Sequence, residues 1–202
     1  TVVHARLYRF AAADPLGAIV WLHGGPTDQW QVTFMPRIEF WRSRGFHVVV
    51  PDHRGSTGHG RSYAQALQGR WGDLDVVDIG RVVEGVHAEG LATPATTILF
   101  GGSAGGFTAL EVACRSPHLL AGVAVAYPVT DLADLAARSH RFEAHYTLGL
   151  VGPLPATKAL HDERSPVHHP ERVGATPVLI LHGDADPVVP VEHSRAFVAA
   201  AT

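Results

Sequence analysis

The sequence predicts a single α/β domain built on a mostly parallel, twisted sheet with helices on both faces. Three observations predict it. Short apolar runs alternate along the chain with stretches of helical spacing, the order that gives parallel strands joined by right-handed crossovers. Several runs are continuous in Val, Ile, Leu and aromatic residues, as strands covered on both faces must be. Two of them end in glycine-rich turns, His23-Gly24-Gly25-Pro26 and Gly101-Gly102-Ser103-Ala104-Gly105. The 202 residues suit one domain, and a 46% hydrophobic content can fill its core.

In chain order, strands are expected at about 2–10, 18–23, 46–51, 97–101, 121–126 and 177–182, and helices at about 34–44, 73–89, 104–116 and 192–200. The clearest helix is 73–89. Val76, Ile79, Val82, Val83 and Val86 recur on one face, and Asp73 stands near the start, where a carboxylate can cap. The stretch 140–170, with Gly149, Gly152, Pro153, Pro155, Pro166 and Pro170, reads as the least regular part. It falls between two strands, on the side where open α/β sheets bind ligands.

The chemistry concentrates in the turns. Gly101-Gly102-Ser103-Ala104-Gly105 fits G-x-S-x-G between the apolar strand Thr97–Phe100 and a helix that ends before Pro117. A sharp strand-to-helix turn needs small residues beside the serine, so Ser103 is expected at the tip with its hydroxyl exposed as a nucleophile. Acyl transfer also needs donors aimed at the developing oxyanion. The Gly24-Gly25 pair and the N–H of Ala104 are the candidates. A third turn, His182-Gly183-Asp184-Ala185-Asp186, leaves the strand at 177–182 with two carboxylates, either of which could orient an imidazole. The order serine then acid matches that of α/β-hydrolases.

These motifs occur with Arg54-Gly55-Ser56-Thr57-Gly58-His59-Gly60, Trp71-Gly72-Asp73 and Tyr127-Pro128-Val129-Thr130-Asp131. Together they cover nearly the whole chain, and it resembles the α/β-hydrolase catalytic domain of the prolyl oligopeptidase family of serine peptidases, on the acylaminoacyl-peptidase and dipeptidyl-aminopeptidase side. The resemblance implies Ser103 as nucleophile and Asp186, in the His-Gly-x-x-Asp pattern, as the acid. It implies an oxyanion site from the Gly24-Gly25 backbone and Ala104. Some relatives place a tyrosine hydroxyl where His23 stands, so a side-chain donor of that kind is not expected here. Phe142, Glu143 and Tyr146 match a recurrent Phe-Glu-x-x-Tyr segment that helps shape the pocket. The resemblance also implies that the chain is a piece of a longer protein, lacking the family's final strand and helix and usually following a β-propeller. On that reading the catalytic histidine lies outside the chain. His193, the one histidine after Asp186, reads as a polar helix residue.

The expected activity is hydrolysis of oligopeptides through an acyl-enzyme. The alternatives are a carboxylesterase, which shares the His-Gly-Gly and G-x-S-x-G parts, and a catalytically incomplete module. A net charge of −3 offers no basic surface for nucleic acid. The apolar runs are too short and broken to span a membrane. One cysteine, Cys114, excludes an intramolecular disulfide framework and reads as a small core residue. Gly55-x-x-Gly58-x-Gly60 lacks the Lys-Ser/Thr of a phosphate loop, and the fourteen histidines lack the spacing of zinc enzymes, so surface and loop positions are expected for them. Neither cofactor nor metal is expected. The expected setting is cytoplasmic, with association into homo-oligomers possible through an open sheet edge.

Overall fold

The computed structural model describes residues 2–138 and 141–202, with the side chains of 141–145 outside the described set. Six strands form one sheet in the order β1-β3-β2-β4-β5-β6. They are β1 His4–Tyr8, β2 Gly17–Leu22, β3 Phe46–Asp52, β4 Thr97–Gly102, β5 Gly122–Ala126 and β6 Val178–Leu181. β1 pairs antiparallel with β3; all other neighbours are parallel.

The central strand shows why the run is continuous in sequence. All six residues of β2 are buried, but successive side chains point to opposite faces. Ala18, Val20 and Leu22 pack with Val49, Leu99 and Val123 against α3 Leu74–Ala88, α4 Ala104–Arg115 and Phe197 of α8 Glu192–Ala201. Ile19 and Trp21 pack with Val48 and Val50 against Ile38 of α1 Pro36–Arg42. Two faces, both covered, leave no place for a polar residue.

α2 is Arg61–Gln65, and α5, α6 and α7 are Leu132–Arg138, Arg141–Val151 and Lys158–Glu163. The last two correct the expectation for 140–170, which is mostly helical. Gly152, Pro153 and Pro155 separate these short helices instead of abolishing them, because proline is excluded from a helix interior but not from the turn beside it. A second correction concerns the start of α3. Asp73 caps nothing; its carboxylate pairs with Arg70. The backbone acceptor is Asp75, whose Oδ1 takes the Gly72 N–H at 2.7 Å while Oδ2 accepts the Thr108 hydroxyl at 2.7 Å.

A third apolar cluster lies above the carboxyl ends of the strands. Leu67, Trp71, Ala104, Phe107, Val129, Leu132, Leu150 and Val189 join the first turn of α4 to the helices of 132–163. This layer seats the elbow described next.

Candidate active site

Ser103 stands between β4 and α4 with φ 55° and ψ −123°. Positive φ in a non-glycine residue is strained and persists only where surroundings over-determine it. Here they do. The Ser103 N–H is tied to Ala126 O at 3.1 Å, and its carbonyl accepts from Phe107 N–H at 3.0 Å. Close packing requires the flanking glycines. A Cβ on Gly105 would sit 2.5 Å from His23 O and 2.8 Å from Leu22 O, and one on Gly101 would collide with the Gly105 backbone. The turn is therefore pressed against the end of β2.

That contact brings the His23-Gly24-Gly25 loop to the serine. A Cβ placed on Gly24 would lie 3.6 Å from Ser103 Cβ. Ala104, as the first residue of α4, has an N–H outside the helical ladder. Ser103, Ala104 and Gly25 line one cavity of about 140 Å³ with Pro26, Trp71, Val129, Tyr146 and Val189. Ser103 and Gly24 line a second, of about 230 Å³, which shares only Ser103 with the first. Of the expected pocket segment, Tyr146 lines the first cavity; Phe142 and Glu143 lie outside the described side chains.

His23 is buried and braces the glycine loop. Its Nδ1 lies 3.0 Å from Gly24 O and 3.2 Å from Gly25 O, so it donates there, and Nε2 accepts from the Ser56 hydroxyl at 2.8 Å. Burial, with the neighbouring His53 ring second, lowers its pKa to about 4, so the ring is neutral. Ser56 belongs to the Arg54–Gly60 loop, and Arg54 is fixed by a two-pronged ion pair to buried Asp78 (2.9 and 2.6 Å). The two loops are one braced unit.

The third turn behaves differently from its neighbours. Asp186 Oδ1 accepts the N–H groups of Val188 at 2.8 Å and Val189 at 2.9 Å, and those bonds hold its carboxyl below the usual range. Its Oδ2 lies 4.0 Å from His182 Nε2. His182 donates from Nε2 to Val189 O at 2.8 Å and accepts from Ser194 at Nδ1. Asp184 instead faces solvent and pairs with Arg195 at 3.1 Å. Asp186 does not line the first cavity, but Val188 and Val189 beside it do.

No imidazole among the described residues hydrogen-bonds the Ser103 hydroxyl. His193 lies in α8, the helix position its sequence suggested, but its ring is turned inward. It is 3% exposed, accepts the Thr130 and Asp131 N–H groups at Nδ1, and faces Asp134 through Nε2 at 3.5 Å. His23, His47, His53, His161 and His169 are buried as well, against the surface half of the expectation, while His23, His53 and His169 do lie in loops. The reason is tertiary: each ring that packs under a loop can satisfy backbone groups that no aliphatic residue could. Among the described residues no group of three or more His, Cys, Asp or Glu is placed to hold a metal ion. Cys114 is buried in α4.

Sequence reasoning missed Trp30, Arg37 and the ring of Tyr127, which line the second cavity. Tyr127 carried a signal only as part of its Pro128 segment; its φ of 39° and its contact over Gly102 are decided by packing.

Residues 32–202 match the prolyl oligopeptidase family. The chain belongs to that family. The His23–Pro26 loop lies just ahead of the matched span. Over 98% of its length the chain superposes on a Mycobacterium tuberculosis puromycin-hydrolyzing peptidase with a TM-score of 0.92 and 35% identity, covering 31% of that protein. It is 29% identical to the acylamino-acid-releasing enzyme of Arabidopsis thaliana and 32% identical to dipeptidyl peptidase family member 6 of Caenorhabditis elegans, over 93% of its length in each case. It spans about a quarter of the length of these curated relatives, 25% and 26%. A Pyrococcus horikoshii acylaminoacyl peptidase, at 21% identity and a TM-score of 0.85, shares the fold. No helix among the described residues is long and apolar enough to cross a membrane.

Proposed function

We propose that this chain is the hydrolytic domain of a serine peptidase acting on oligopeptides, with Ser103 as its nucleophile. The observation that carries the reading is the strained φ of Ser103, locked at a strand-to-helix turn between two cavities. Ser103 Oγ attacks the scissile carbonyl, and the oxyanion is held by the N–H of Ala104 and the backbone of Gly24-Gly25. An acyl-enzyme forms, the amine departs, and water releases the acid. The neutral His23 ring, by engaging the Gly24 and Gly25 carbonyls, keeps those oxygens turned away from a developing negative charge.

Asp186 orients the catalytic histidine. Two backbone N–H groups occupy its Oδ1, which leaves Oδ2 as acceptor for an imidazole N–H and keeps the carboxyl ionised. The histidine itself lies outside residues 1–202. The engagement of His193 with Thr130 and Asp131, and the chain order serine, acid, histidine, support this. The protein carrying the chain has an upstream β-propeller in this reading.

The apolar cavity of about 140 Å³ suits a single side chain on the acyl side. Similarity to an acylamino-acid-releasing enzyme and a puromycin-hydrolyzing peptidase supports hydrolysis of peptide bonds.

In the full-length protein a fluorophosphonate probe should label Ser103, and the Ser103→Ala variant should stay unlabelled and inactive. Aminoacyl anilides and short peptides should be turned over faster than short-chain esters, which a carboxylesterase would favour. Labelling that persists in Ser103→Ala refutes the assignment.

A further inference from the structure

The second cavity beside Ser103 does not end there. It shares Gly24, Trp30, Arg37 and Tyr127 with a larger hollow of about 510 Å³ that opens toward the loop at 28–35. Among the described residues, Arg37 is the only basic residue lining either of them besides the neutral His23. Its Cζ lies 4.4 Å from the centre of the Trp30 ring and 5.6 Å from that of Trp21. Eight arginines have acidic partners, Arg6, Arg42, Arg54, Arg70, Arg115, Arg138, Arg172 and Arg195. Arg37 has none among the described residues, and no acceptor takes its N–H groups. The one carboxylate in the hollow, Asp28, is bound to the Gln29 N–H. A guanidinium lying on indole rings is positioned while its N–H fork stays free, the arrangement that suits a planar carboxylate.

The two cavities have Ser103 in common and no other lining residue, so a carbonyl on Ser103 can direct its acyl side chain into one and its leaving group toward the other. The smaller is walled by Val129, Val189, Trp71 and Tyr146 and fits a side chain that terminates. The larger pair continues outward and fits a chain that goes on. We propose that Arg37 is a specificity residue that binds the free C-terminal carboxylate of the departing peptide, which selects short oligopeptides over amidated or internal segments. This rests on the peptidase reading above and adds the leaving-group side to it.

The test compares kcat/KM of the full-length protein for alanine di-, tri- and tetrapeptides with that for their C-terminal amides. A free carboxylate on Arg37 should favour the acid by about ten-fold at one or more lengths, through KM, the scale of one charge-assisted hydrogen bond. In Arg37→Gln the ratio should fall toward one. Arg37→Met, which keeps an unbranched stem against Trp30, should do the same and carries the test if the glutamine variant does not fold. Structural damage alone would slow acid and amide equally and leave the ratio intact. An acid-to-amide ratio near one in the wild type at every length overturns the proposal, as does a preference that survives both substitutions. Turnover of an aminoacyl anilide, which has no carboxylate, separates the two levels. If it persists while the ratio is flat, only the Arg37 assignment fails; if it is absent and Ser103 takes no fluorophosphonate, the peptidase reading fails and takes this one with it.

Discussion

Gly105→Ala tests whether the contact between the elbow and the end of β2 holds the site together. The added Cβ would lie 2.5 Å from His23 O, about 0.9 Å inside ordinary contact, and 2.8 Å from Leu22 O. Both obstacles are backbone, so no side-chain rotation relieves them. Either α4 moves outward or the strand end carrying Gly24 and Gly25 moves away, and each shift widens the gap between Ser103 and the glycine loop. Overpacking of this kind costs about 1–3 kcal/mol of stability. A displacement near 1 Å in a catalytic constellation costs about a hundred-fold in rate. Gly85→Ala is the matched control. Gly85 lies inside α3 with nothing within 4 Å of a built Cβ, so alanine there should stabilise by about 0.5–1 kcal/mol through helix propensity. The assays are urea unfolding followed by tryptophan fluorescence and the rate constant of fluorophosphonate labelling, both on the full-length protein. If Gly105→Ala unfolds at the urea concentration of Gly85→Ala and Ser103 is labelled at the wild-type rate, the contact does not control the site.

Three other outcomes are expected. Asp186→Asn should lower kcat by about four orders of magnitude, the scale of losing a triad acid, while Asp184→Asn, whose side chain is 86% exposed, should cost far less; a reversed ranking assigns the acid to Asp184. Burial raises the Asp75 carboxyl from 3.8 to about 6, so the fold holds its proton more tightly than the unfolded chain does. Stability from that group is full below pH 3.8 and is lost as pH rises through 6, about 3 kcal/mol in all. The Asp75→Asn variant should therefore gain on the wild type between those pH values and run parallel above them; a constant difference in urea midpoint would refute the shift. Arg54→Gln leaves the Asp78 carboxylate buried and unpaired, which should cost about 3–5 kcal/mol and loosen the Ser56–His23 brace, lowering kcat as well as the unfolding midpoint. An unchanged kcat in a destabilised protein would separate the two loops.

Much of this protein was legible in its sequence because backbone-level constraints write directly into residue type. β2 must be apolar at every position when both sheet faces are covered, so Ala18–Leu22 reads as a strand without any partner in view. The elbow reads as clearly, since only glycine and alanine fit around Ser103. What the sequence did not determine depends on which chains of the fold meet. The carboxylate that reaches the backbone ahead of α3 is Asp75 and not Asp73, because Thr108 of α4 is there to share it. His193 is buried because Thr130 and Asp131 present two N–H groups to its ring, a pairing across more than sixty residues that no local pattern encodes. Arg37 shares a cavity with Ser103 only because α1 covers Trp21 on the sheet face opposite α4. Local sterics and hydrophobic periodicity are properties of neighbours in sequence; the partners of polar side chains are chosen by distant segments, and only the folded chain fixes them.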